Sequence, residues 1–293
     1  MVDGFSDRRP GRGPDASSAR RGGPPTLGRV PEPDVPLSAP EPDLPRRSAV
    51  AAKPTGWRLD EPGNGWLLGV ITAAIGWFVG LLGGGIVGTI VLVASGVEDF
   101  DEMNLGLVAV AQMGLWFGLL GVPYLAARFF GDGMRREYGL AVRWPDLPVG
   151  ALWGVIGQLA IFPLVYVPLR WFTDITQEEF TEPAQNMADK ATSPVGVVLL
   201  VLIVGVGAPI VEEIFYRGLL QRSLIRRLGP IGGIGIASVI FGALHFQLLQ
   251  LPALALAGVL FGVLAYRSGR LGPAIVAHVV FNMTAVIVLL TGS

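Results

Sequence analysis

Three short motifs in the last third of the chain hold the side chains most suited to chemistry. They are Glu212-Glu213-Ile214-Phe215-Tyr216-Arg217, Phe241-Gly242-Ala243-Leu244-His245 and His278-Val279-Val280-Phe281-Asn282. Each lies in apolar sequence, where an ionisable group is costly unless it is paired or faces a wet cavity, and so marks function by default. In the first motif Glu213 and Arg217 stand at i and i+4 with the acid N-terminal, the favourable order for a helical ion pair. Glu212 lies ~100° around the helix and cannot share that arginine equally. Glu213 therefore reads as a neutralised anchor. Glu212 reads as a carboxylate free to act as a base, steadied by Tyr216 at its own i+4 position. The plain alternative is that both acids end a span at the interface, against which Leu219 and Leu220 continue the apolar pattern before Arg222.

His245 is placed four residues after Phe241, deep in an apolar helical segment. Alone, such a histidine is more often a hydrogen-bonded packing residue than a catalyst. His278 and Asn282, again i and i+4, share one helix face. Alone, they read equally well as an interhelical hydrogen-bond pair. Taken together the motifs say more, because these are the only two histidines in the chain and both follow the acidic pair. A glutamate and a histidine converging on one water make a general base. A second histidine and an asparagine amide can donate to a developing oxyanion. These are the parts that peptide hydrolysis through a tetrahedral intermediate requires.

The elements that must position these groups are membrane spans. The chain of 293 residues is 51% hydrophobic and 15% charged, against about a quarter charged in soluble proteins. It has no cysteine, which excludes disulfides, thiolate zinc sites and cysteine nucleophiles. The net charge of −1 is segregated by segment and points to no nucleic-acid partner. Residues 1–60, rich in Pro, Gly, Arg and Asp without hydrophobic period, read as a disordered tail. Beyond them, 65–293 reads as a transmembrane domain. Uncharged runs of the ~20 residues that a span needs cover 66–97, 103–127, 147–169, 194 into the Glu212 motif, two shorter helices within 230–266, and 272–290. Pro123 is expected to kink or end the second. The fold class is an all-α polytopic membrane protein of seven spans, or eight if the acidic 170–190 region hides another. Basic loops (128–143, 222–227, 267–270) and the basic tail fall on one side of a seven-span chain. The acidic 98–102 and 170–190 loops fall on the other. Basic loops keep to the cytoplasm, so the expected location is the cell membrane with a cytoplasmic N-terminus.

The three motifs, EExxxR, FxxxH and HxxxN in that order on late spans, resemble those of the CAAX protease and bacteriocin-processing (CPBP) family, which includes the type II CAAX prenyl endopeptidases. The resemblance covers residues 194–291. It implies an intramembrane endopeptidase in which Glu212 and His245 activate the attacking water. His278 and Asn282 would form the oxyanion hole, with Glu213, Arg217, Tyr216 and Phe241 in support. Members are often called metalloproteases, yet no HExxH is present. The expectation is therefore a metal-free glutamate mechanism without a cofactor, with zinc as the alternative. The expected partners are a peptide or membrane-protein substrate and the lipid bilayer. Two readings compete with the enzyme. One is a transporter using the buried Glu and His residues; the other is a non-enzymatic scaffold of the immunity type.

Overall fold

A computed structural model describes residues 65–292; the tail expected over 1–60 lies outside the described residues. The described chain is helical, with no strand. Helix α1 is Gly65–Ser95, α2 Leu105–Phe129, α3 the short Met134–Glu137, α4 Asp146–Phe172 and α5 Gln177–Asp189. A 50-residue helical run, Pro194–Ala243, contains one non-helical residue, Gly229, at φ 70° and ψ 174°. Gly229 divides that run into α6 (194–228) and α7 (230–243). Helices α8, Leu251–Ser268, and α9, Gly272–Thr291, complete the bundle.

Six helical runs are long and apolar enough to cross a bilayer, and the break at Gly229 makes seven rods of them. Only 17–33% of the most apolar stretch of each run is buried in the protein. The remaining apolar surface, Phe78, Ile86, Ile90, Phe117 and Val198 among it, is outward-facing. Such a surface suits lipid and not water, and this is a multi-pass membrane protein.

Local chemistry accounts for the helix ends. Asn104 caps α2 through the Leu107 amide and Ser193 caps α6 through the Gly196 amide, with Pro194 in the first turn. Thr176 and Glu179 form a reciprocal capping box at α5. Of the two expectations for Pro123, a kink or an end, it does not end α2. A widened turn at Phe117–Gly121 precedes it, and the helix continues to Phe129. The 170–190 region holds no eighth span. Its helix has 13 residues and lays Phe180 and Ala188 against the bundle.

The loops sort into two ends. Arg222 of α6 donates to the Glu137 carbonyl at 3.4 Å and to the Gly269 carbonyl at 2.9 Å. Arg270 grips Asp146, its Nε 3.1 Å from Oδ2. Three basic connections thus meet. Buried Tyr138 donates its hydroxyl to the Pro123 carbonyl at 2.9 Å there, and burial, helped by the Glu137 charge, pushes its pKa above the usual tyrosine range. At the other end Lys190 donates to the carbonyls of Asp101 and Met103, tying the two acidic connections together.

Glycines set the closest helix contacts. A β-carbon at Gly118 of α2 would lie 2.0 Å from the Gly80 nitrogen of α1, so the two backbones touch. Gly118→Ala must separate them, an overpacking cost of about 1–3 kcal/mol. It is expected to lower the melting temperature of the detergent-purified protein. Gly85→Ala, where the β position meets nothing within 4 Å, is expected to leave that temperature unchanged.

Candidate active site

Helix α6 widens to π geometry twice, over Val201–Gly207 and Glu213–Gln221. Pro209 explains how the first is used. The Ala208 amide reaches back five residues to the Ile203 carbonyl. The next donor in that register is Pro209, which has no N–H. The Val204 carbonyl left over accepts instead from Asn282 Nδ2 of α9, at 2.8 Å. One Asn282 proton therefore glues two helices, and the second remains free to donate.

The second widened segment is buried from Glu213 to Gln221. The two adjacent acids are treated differently. The Glu213 side chain is 0% exposed, while that of Glu212 keeps 19%. Glu213 Oε1 accepts from His278 Nδ1 at 2.9 Å. Arg217 Nη1 lies 2.8 Å from the same oxygen, but off the hydrogen-bond direction, so that contact is chiefly coulombic. The arginine also lies over the Phe241 ring, with Cζ 4.2 Å from its centroid, a cation–π contact strengthened by desolvation.

Both histidine tautomers follow from their partners. A carboxylate oxygen only accepts, so His278 Nδ1 carries a proton. Its Nε2 is 3.8 Å from Glu212 Oε2, too far for a direct hydrogen bond. Phe261 of α8 stacks on the imidazole, centroids 4.4 Å apart and planes 20° from parallel. His245 is not inside a helix as expected. Helix α7 ends at Ala243, and His245 occupies the following turn, next to Phe246 at φ 57°. There its Nδ1 pairs with the Phe241 carbonyl at 2.7 Å, one of the acceptors that a helix end leaves unsatisfied. The neutral ring then presents its Nε2 lone pair.

Phe241 is the hub of the aromatic packing. Its ring meets His245, Tyr216 and His278 edge-on at 4.8, 5.1 and 5.8 Å. Tyr216 makes no hydrogen bond to Glu212 as expected from the i+4 spacing; it packs instead between Phe215 and Phe241. The widened turn has moved its hydroxyl off the α-helical register.

Glu212, His245, His278 and Asn282 line one cavity of about 740 Å³, walled mainly by apolar side chains of α4, α5, α8 and α9. Helix α5 roofs it, with the Phe180 carbonyl accepting from Gln250 Nε2 at 2.7 Å. The arrangement offers one cavity a carboxylate, two imidazoles and an amide. Among the described residues, no three His, Asp or Glu side chains group as metal ligands. Three site participants were not read from the sequence: the Phe261 ring, the Val204 carbonyl and the bond from His278 to Glu213. Only Pro209 carried a signal, through its missing N–H.

Residues 194–284 match the family model described as type II CAAX prenyl endopeptidase Rce1-like. Neither a curated protein nor a solved structure matches the chain.

Breaking the buried Glu213–Arg217 pair from one side strands a charge, which costs about 3–5 kcal/mol. Arg217→Met is expected to collapse the melting temperature and the monodisperse yield in detergent. Adding Glu213→Gln to that variant is expected to recover part of both, which size-exclusion chromatography and thermal unfolding would show.

Proposed function

We propose, from the match of residues 194–284 to the type II CAAX prenyl endopeptidase Rce1-like family model, that this chain is an intramembrane endopeptidase acting through a water activated by Glu212 and His245. One observation carries the reading: the four polar groups needed for the reaction line a single cavity inside a membrane-spanning bundle. Its volume lies within the few hundred to ~1,000 Å³ of small-molecule and cofactor sites, space enough for a short stretch of peptide.

The steps follow from the donors and acceptors. Water donates one hydrogen bond to Glu212 and the other to His245 Nε2. As its oxygen bonds to the carbonyl carbon of the peptide, Glu212 takes the proton. The carbonyl π electrons move to oxygen, where Asn282 Nδ2–H and protonated His278 Nε2–H donate to the new oxyanion. Glu213 holds Nδ1 of that ring, which turns its Nε2 toward Glu212 and the cavity. Glu212 then returns the proton to the departing nitrogen as the C–N bond breaks, leaving an acid and an amine. Arg217 and Phe241 hold Glu213 and His245 in place for this.

No step passes through a metal. Catalytic zinc takes three protein ligands, and among the described residues no three His, Asp or Glu side chains group as such a set. The substrate is a peptide or membrane-protein segment, and the basic end of the bundle faces the cytoplasm. A transporter would be expected to repeat its broken helices in both halves. Among the described residues, the buried Glu213, Arg217 and His278 are gathered in 212–282, while the other buried acids, Glu137 and Asp146, lie outside the cavity at the basic end, and α1 and α2 contribute no buried charge.

Cleavage of a quenched-fluorescent peptide panel by the purified protein tests the reading. Glu212→Gln is expected to lower kcat/KM by roughly 10²–10⁴-fold with unchanged folding, and chelator is expected to leave the wild type unaffected. Cleavage retained in Glu212→Gln would remove Glu212 from its role. Cleavage lost to chelator and restored by zinc would replace the glutamate mechanism with a metal-bound water.

A further inference from the structure

Glutamines inside the bundle mostly spend their amides on backbone. Gln221 Nε2 donates to the Gly262 carbonyl at 3.0 Å and Gln250 Nε2 to the Phe180 carbonyl. Gln158, midway along α4, differs. Its Oε1 is enclosed without a hydrogen-bond partner, as is that of Gln221, but its amide nitrogen, unlike theirs, donates to no described residue. An enclosed amide oxygen left unpaired is less stable than an apolar group of the same size. The fold itself gains nothing from a glutamine here.

Its location suggests what the amide serves. Helix α4 lies directly on α9: a β-carbon at Gly154 would be 2.5 Å from the Ala277 carbonyl oxygen, and one at Gly157 would be 3.3 Å from the Phe281 ring. Gln158, next after Gly157, therefore stands at the level of Phe281 and Asn282. It lines the same cavity as Glu212, His245, His278 and Asn282. A peptide entering that cavity brings backbone N–H and C=O groups that have lost their water, and each needs a new partner. The apolar wall, Leu159, Phe162 and Phe261 among it, supplies none; Gln112, Tyr166, Thr181 and Gln247 are further polar side chains on the lining. A carboxamide offers one acceptor and two donors without the cost of a charge.

We propose that Gln158 is a substrate-binding residue whose carboxamide pairs with the peptide backbone beside the scissile bond. Oε1 accepts a peptide N–H, and Nε2 donates to a peptide carbonyl. This deepens the endopeptidase reading and rests on it.

The test uses the full chain in detergent, a quenched-fluorescent peptide with apolar central residues, and analogues with one non-scissile amide N–H at a time replaced by an ester oxygen. Cleavage is followed with Glu212 intact, and binding on the Glu212→Gln background, where turnover is blocked. Gln158→Leu is expected to raise KM and weaken binding roughly tenfold, the worth of one or two hydrogen bonds, with little change in kcat. One ester analogue should cost the Gln158 protein a similar factor and cost Gln158→Leu nothing further. The melting temperature of Gln158→Leu should equal or exceed that of the wild type. The proposal is overturned if binding is absent or insensitive to Gln158→Leu, if every ester penalty is the same in both proteins, or if the variant only loses stability. Gln158-dependent binding without cleavage by the wild type would uphold this proposal while sinking the endopeptidase reading.

Discussion

A carboxylate with no exposure, inside a bundle whose outer surface is apolar, is the constraint on which the rest of this structure depends. Glu213 cannot stay ionised there without compensation, since an unpaired buried charge costs more than the marginal stability of a domain can absorb. Its compensation comes from two directions: Arg217 one turn along the same helix, and His278 from α9. Arg217 in turn needs a surface on which to lie, and Phe241 of α7 provides it, with Phe261 of α8 at 5.4 Å. One buried charge thereby fixes four helices. It also holds His278 in a single ring orientation, with Nε2 turned toward Glu212.

The same economy governs the backbone. In a bilayer an unpaired carbonyl has no water to turn to, so each irregularity in α6 has to be answered by another group. Pro209 removes one donor, and Asn282 replaces it from across the bundle. The end of α7 leaves the Phe241 carbonyl open, and His245 Nδ1 fills it. Two of the four proposed reacting groups are thus anchored by repairing defects in neighbouring helices. Each keeps one further donor or acceptor directed at the cavity. Structural and chemical roles coexist in these side chains because each has two polar atoms or protons to use.

Access is shaped by elements that carry none of the chemistry. Close glycine contacts let α4 approach α9 until backbone meets side chain, which brings the Gln158 carboxamide level with Asn282. Helix α5, too short to cross a membrane, covers the cavity with Phe180, whose ring meets Phe162 and Tyr166 at 5.7 and 5.5 Å. The roof is held by one buried hydrogen bond, from Gln250, and by aromatic edges. The cavity thus has a mainly apolar wall and a small number of polar points inside it.

Span positions were legible because hydropathy is a local property: a run such as 66–97 without a charge has one sensible fate in a bilayer. A break between α6 and α7 was implied by the basic segment 222–227 before the uncharged run from 230, and the pairing of Glu213 with Arg217 was legible from their spacing, since both lie within one or two turns. What could not be read involves distance along the chain or a departure from ideal helical register. The hydrogen bond from His278 to Glu213 joins residues 65 apart. Phe261 carries no polar signal at all, and its place on the imidazole is decided by how α8 packs. Tyr216 was misread because a widened turn changes which residues share a face, and His245 because nothing local announces where α7 stops. The sequence by itself determined which side chains are too costly to be incidental, because the price of a buried charge depends on residue type and hydropathy alone. Only the tertiary structure decided which of them meet, because that depends on helix crossings set by glycine contacts, prolines and unsatisfied carbonyls far apart in the chain.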